Sequence, residues 1–138
     1  LRLQDMATNV FVHNLVAEYI VRLVLATRNP ADFGMPDLVP VIQIGCSPRA
    51  TLGLVAAARA LALIHGRDYV LPTDVQAVAK DVMGHRIVLG FDAMADNISS
   101  AQVVERILAM VPPPTPVWNA QQRQQAHAQH RHQPEFKN

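Results

Sequence analysis

Lysine is nearly absent from this chain: Lys80 and Lys137 are the only two, and neither follows a glycine. That excludes the Gly-x-x-x-x-Gly-Lys-Ser/Thr loop whose backbone N–H groups cradle nucleotide phosphates. No acidic pair follows a hydrophobic strand to hold magnesium and position a water, so this segment alone is not expected to hydrolyse a nucleoside triphosphate. Cysteine is as scarce, and Cys46 by itself cannot close an intrachain disulfide. There is no apolar run of bilayer-spanning length and no leader, so the expectation is a cytoplasmic protein without membrane insertion. Aromatic residues make up only 5% of the chain, so a core must come from Ala, Val, Leu and Ile, which suits close helix packing better than a β-sandwich. With a net charge of +1 and no run of Lys or Arg, nucleic acid is not an expected partner. The chain opens on Leu1 rather than Met, and the expectation is a piece of a longer polypeptide.

What is present is a chain of 138 residues, half of them hydrophobic, enough for one domain with its own core. Leu15, Val16, Tyr19, Ile20, Leu23, Val24 and Thr27 recur at helical spacing and predict a helix from about Asn14 to Arg28, stopped by Pro30. Val10 and Val12 before it suit a short strand. Residues 29–45 carry three prolines and two glycines without a sustained period and read as a long, busy loop. A second helix is expected from Ser47, as cap, and Pro48, at the first helical position, to about His65, with Gly66 as its stop. Being apolar or small nearly all round, it reads as a central element with neighbours on several sides. Arg49, Gly53, Ala56 and Ala60 share a face almost free of bulk.

Tyr69 to Leu71 read as extended, and Thr73 with Gln76 has the spacing of a capping box for a third helix that buries Val75, Val78, Ala79 and Val82 and ends with a left-handed Gly84. Ile87, Leu89 and Phe91 alternate and permit a short strand paired with an earlier extended piece. A fourth helix is capped by Ser99 and Gln102 and buries Val103, Val104, Ile107, Leu108 and Val111. The expected fold is therefore mainly α: a bundle of about four helices over residues 1–111, with room for a short two-stranded β element. Four prolines from Pro112 to Pro116 and a Gln/His-rich stretch make residues 112–138 an expected disordered tail.

Arg49 is the informative side chain. A cation in the first turn of a helix faces the positive end of the macrodipole and its unpaired N–H groups, which costs up to about 1 kcal/mol unless an anion resolves it. A phosphate would do so, met by backbone N–H groups and a guanidinium fork together. The competing reading, on spacing alone about equally good, is that Arg49 reaches water or pairs with an acid such as Asp37. Other features favour plainer readings. His127, His130 and His132 lack a firm fourth metal ligand and read as a solvated tail, so no metal site is expected. His85 and Arg86 follow a helix end, where cations complement exposed carbonyls. Trp118 is isolated in the tail, and Cys46 reads as a small packing residue rather than a reactive thiol.

The segments Tyr19-Ile20-Val21-Arg22-Leu23-Val24, Ala26-Thr27-Arg28, Gly45-Cys46-Ser47-Pro48-Arg49-Ala50, Gly66-Arg67-Asp68-Tyr69-Val70 and His85-Arg86-Ile87 resemble, in order and separation, the C-terminal lid domain of MoxR-family AAA+ ATPases. The resemblance runs from about Val10 to Val111, and the Ser-Pro-Arg-Ala segment after a glycine is its specific part. It implies an AAA+ lid fold in which Arg49 is the sensor-2 arginine acting in catalysis on ATP. It places Pro48 and Ser47 beside the nucleotide and has Tyr19 and Ile20 lining the same crevice. It further implies magnesium held by an absent N-terminal AAA+ core of the same protein, neighbouring subunits in a hexameric ring, client proteins matured in chaperone fashion, and partners with von Willebrand A domains. Cys46 stands where Ala is usual, and Gly53 where Ala would be unremarkable. The readings that compete with it are a non-enzymatic helical binding module, histone-fold-like or winged-helix-like, and the lid of a related AAA+ group such as magnesium-chelatase or replicative-helicase relatives. The third helix carries Lys80 against Asp74 and Asp81, which leans away from a DNA-reading module.

Overall fold

The computed structural model describes residues 9–115, and their architecture follows from where the apolar stripes can meet. Helix α1, Asn14–Arg28, buries Val16, Tyr19, Ile20, Leu23, Val24, Ala26 and Thr27 on one face. Pro30 then begins the first of two short 3-10 turns, Pro30–Phe33 and Pro36–Leu38. These fold the loop back so that Met35 and Leu38 are buried.

The loop is not wholly irregular. It ends in strand β1, Ile42–Ile44, which pairs antiparallel with β2, Val88–Leu89, through Ile42 opposite Leu89 and Ile44 opposite Val88, with an irregular register between them. The expected strand near residues 87–91 is therefore present, and its partner lies inside the proline-rich stretch. Val10 and Val12 do not form a strand of their own. Instead Phe11 makes an isolated parallel bridge to Tyr69, with Val70 N–H donating to the Phe11 carbonyl at 2.9 Å.

Helix α2, Arg49–Ile64, packs through a seam of Ala50, Leu54, Ala58 and Ala62, one residue per turn, and meets α3, Pro72–Gly84, along its length as well as α1. Gly66, at φ +73°, ends α2: Arg67 N–H donates to the Ala62 carbonyl and Gly66 N–H to the Leu63 carbonyl, both at 2.9 Å. This is the left-handed stop that glycine permits. Contrary to the expectation of neighbours on several sides, one face of α2 is open, with Leu52 71% and Ile64 78% exposed. The seam is one narrow row of mostly alanines, so two neighbours suffice to cover it.

Helix α3 starts differently from the Thr73–Gln76 box expected for it. Its first helical residue is Pro72, and Asp74 accepts the Leu71 N–H at 2.7 Å, while Gln76 donates to the Tyr19 hydroxyl at 3.3 Å. Gly84 is the last helical residue and is followed by a right-handed His85, so no left-handed glycine stop forms there. A fifth, short helix, α4, Phe91–Ala95, was not expected. Helix α5, Ser100–Met110, carries the capping box read from sequence: Ser99 Oγ accepts from Gln102 N–H at 3.2 Å, and Gln102 Oε1 accepts from Ser99 N–H at 2.9 Å. It closes the core with Val103, Val104 and Ile107. No helix among the described residues is long and apolar enough to cross a membrane. The expected tail beyond Thr115, with Trp118, His127, His130 and His132, lies outside the described residues.

Candidate functional site

The start of α2 is held in place by contacts that sequence alone does not reveal. Gly45 passes so close to the end of α1 that a Cβ there would sit 2.4 Å from the Thr27 carbonyl oxygen and 2.9 Å from the Arg28 nitrogen. Only a residue without a side chain fits against that backbone. The next residue is fixed from both sides: Thr27 Oγ1 accepts the Cys46 N–H at 2.9 Å, and Arg28 Nη1 donates to the Cys46 carbonyl at 3.4 Å. The Cys46 side chain is fully buried, and burial pushes its thiol pKa up, so it packs and is kept from the thiolate form.

Immediately after this anchor the chain turns outward. Ser47, Pro48 and Arg49 are all exposed, whereas Ala50 is buried. The first turn closes by backbone bonds alone, from Ala50 N–H to the Ser47 carbonyl at 2.9 Å and from Thr51 N–H to the Pro48 carbonyl at 3.1 Å. Ser47 does not cap. Pro48 occupies the cap position with helical angles, φ −55° and ψ −22°, and no side chain accepts from the turn. A capping hydroxyl needs the cap residue in extended conformation, and the helical Pro48 sets Ser47 one position too early.

Arg49 makes no hydrogen bond or ion pair with any described residue. Its suggested partner Asp37 is taken by Arg106, which grips the carboxylate at 2.7 and 3.0 Å. A second cation, from the turn that follows α3, approaches the same helix. The Arg86 guanidinium lies over Gly53, one turn further along α2, where a Cβ would be 3.4 Å from Arg86 Nη2 and 3.2 Å from Val82 Cγ1. The Arg86 side chain makes no hydrogen bond to the carbonyls at the end of α3. Gly53 costs a helix interior about 1 kcal/mol relative to alanine, and that anomaly was the one sequence signal pointing to a close neighbour.

Of the five residues assigned to the site by resemblance, three are brought together at the surface and two are not. Tyr19 and Ile20 belong to the buried face of α1, at 2% and 0% exposure. What little Tyr19 shows faces a different cleft, which it shares with Leu15, Glu18, Arg22 and the Pro112–Thr115 segment. Their helical spacing with Val16, Leu23 and Val24 places them in the core rather than in a crevice with Arg49. A separate open cleft of about 300 Å³ lies beside the anchor, between the end of α1 and Ile42, Gln43 and Gly45. Among the described residues no three His, Cys, Asp or Glu side chains are grouped to hold a metal ion.

A helical bundle with a small β element, opening its second helix on an exposed arginine, defines a class that comparison with known proteins identifies. Residues 39–107 match the family model described as the AAA lid domain. Chaperone MoxR1 of Mycobacterium tuberculosis is 53% identical over 111 residues, covering 80% of this chain and 29% of that protein. Protein MoxR of Paracoccus denitrificans is 48% identical over 75 residues, 51% of this chain and 22% of that protein. A crystallised candidate ATPase from Cytophaga hutchinsonii superimposes with a TM-score of 0.78 at 39% identity, covering 80% of this chain and 34% of that one. The chain belongs to the AAA lid domain family, as the lid region of a MoxR-family AAA+ ATPase. It spans about a third or less of the length of these relatives.

Proposed function

We propose that this lid reads the state of a bound nucleotide through Arg49, acting as the sensor-2 arginine of a MoxR-type AAA+ ATPase. The observation that carries the reading is an exposed guanidinium, without a carboxylate partner among the described residues, at the uncapped start of α2. Such an end offers N–H donors and a positive dipole to an anion, and arginine adds a fork matched to phosphate oxygens. In this account ATP and its magnesium ion sit on a core domain of the same polypeptide, and Arg49 grips the terminal phosphates. Ser47 and Pro48 flank the nucleotide, and the cleft beside Gly45 leaves room on its base or sugar side.

Loss of the γ-phosphate removes the charge that Arg49 holds, and the lid is then free to rotate relative to the core. Because Gly45 and Cys46 lock the arginine's segment to α1, a pull on Arg49 is passed to the bundle as a rigid unit. Neighbouring subunits of a cytoplasmic ring would feel that rotation and convert it into work on client protein complexes, with von Willebrand A domain proteins as partners. The test is ATP turnover by the intact protein carrying Arg49→Ala. Turnover falls by about tenfold or more if a charge-assisted contact worth about 1.5–3 kcal/mol is lost, with the melting temperature unchanged; full activity would refute the assignment.

A further inference from the structure

Seven arginines fall among the described residues, and five have defined partners. Arg22 pairs with Glu18, Arg67 with Asp74 and Arg106 with Asp37, while Arg28 donates to the Cys46 carbonyl and Arg59 to the Val10 carbonyl. The remaining two, Arg49 and Arg86, have no hydrogen-bonding or ion-pair partner for their side chains among the described residues, and both lie on the same end of α2. Arg49 is in the first turn, and Arg86 rests on Gly53 four residues later, about 6 Å along the axis. Arg86 lies two residues beyond the end of α3, so nothing local in sequence brings it to the first turns of α2.

We infer that Arg86 is a second nucleotide-binding residue, contacting the same terminal phosphate as Arg49; this rests on the Arg49 reading given above. An unpaired guanidinium on Arg49 and another over Gly53, one turn along the same face of α2, both make that face positive, and a doubly charged phosphoryl group is attracted by both. The three oxygens of a terminal phosphate can accept from two guanidinium forks at once. Gly53 leaves room for the approach: a methyl group there would sit tightly against Val82 Cγ1 at 3.2 Å and in ordinary contact with the guanidinium at 3.4 Å. A lid that meets the phosphate from the start of α2 and from the turn after α3 responds to its loss through both segments.

The test measures the affinity of the intact protein for AMP-PNP and for ADP, each with magnesium, in Arg49→Ala, Arg86→Ala, Arg86→Lys and Gly53→Ala variants. Arg86→Ala is expected to weaken AMP-PNP binding about tenfold while changing ADP binding less than about threefold. Arg86→Lys should fall between, since a point charge replaces the fork. Gly53→Ala, which keeps both arginines and adds a methyl group only in contact with one, should change AMP-PNP affinity less than about threefold. If Arg49→Ala weakens AMP-PNP binding and Arg86→Ala does not, the inference is overturned and the sensor assignment stands. If neither variant changes it, both fail. Arg86→Ala breaking subunit assembly at unchanged nucleotide affinity would also overturn the inference, by assigning the guanidinium to a protein contact.

Discussion

Helices α2 and α3 both begin beside a proline, and their first turns are opposite in every other respect. At α3 the third helical residue is an acid: Asp74 accepts the Leu71 N–H at 2.7 Å and is clasped by both guanidinium nitrogens of Arg67 at 2.6 Å, with Asp74 only 2% exposed. Donors, dipole and charge are all satisfied internally. At α2 the first helical residue is a cation, no side chain caps the turn, and three consecutive residues face solvent. The chain can close a helix start completely, and the start it leaves open is where the proposed nucleotide phosphate would complete the electrostatics.

Arg67→Ala should break the closed end most severely. It strands a buried carboxylate and is expected to cost about 3–5 kcal/mol at neutral pH, read by urea unfolding. The pH dependence sharpens this. Burial alone would raise the Asp74 pKa, but the Arg67 guanidinium and the Leu71 N–H outweigh it and hold the carboxyl below its usual range. Its contribution in the unsubstituted chain is therefore fully present above the ordinary carboxylate pKa of about 4 and is lost as pH falls through the lower folded value. In the variant the unpaired carboxyl is raised instead, so the deficit should shrink between pH 7 and pH 4; a deficit constant with pH would remove charge from the explanation.

Next in size is Gly45→Ala, whose new methyl group meets the Thr27 carbonyl and must displace backbone, for an expected loss of about 1–3 kcal/mol. Because that contact anchors the Arg49 segment to α1, nucleotide affinity in the intact protein should fall as well. A stable variant with unchanged affinity would show that the anchor does not position the site. Ser99→Ala, which removes one half of the capping box of α5, should cost about 1 kcal/mol and leave nucleotide binding alone. Smallest of all is Arg49→Ala, expected to change thermal stability by less than about 0.5 kcal/mol because no described residue depends on it. A loss above 1 kcal/mol would make Arg49 a structural residue and erase the contrast between the two helix starts.

Features encoded within a few residues are readable from the sequence. Helix α1 runs between the expected Asn14 and Arg28, Gly66 stops α2, and Ser99 with Gln102 caps α5. Misreadings arose where two local patterns competed or where the partner was distant. Thr73 to Gln76 and Leu71 to Asp74 share a spacing of three, and the second prevails because Arg67 and burial reinforce the acid. Three-residue β1 is too short to alternate, and its partner Val88–Leu89 lies more than forty residues away. In the candidate site, Ser47, Pro48 and Arg49 are contiguous and could be named from sequence. Tyr19 and Ile20 could not be sorted from core residues by periodicity, since the same spacing that marks a face does not say what covers it. The approaches of Gly45 to Thr27 and of Gly53 to Arg86 are tertiary facts with only a glycine to announce them.

The central claim is most directly tested by crystallising the intact protein with AMP-PNP and magnesium. The account predicts a guanidinium nitrogen of Arg49 within about 3 Å of a terminal-phosphate oxygen, with the start of α2 turned toward it. A structure with nucleotide bound and Arg49 directed away from it, paired to a carboxylate, would contradict the account.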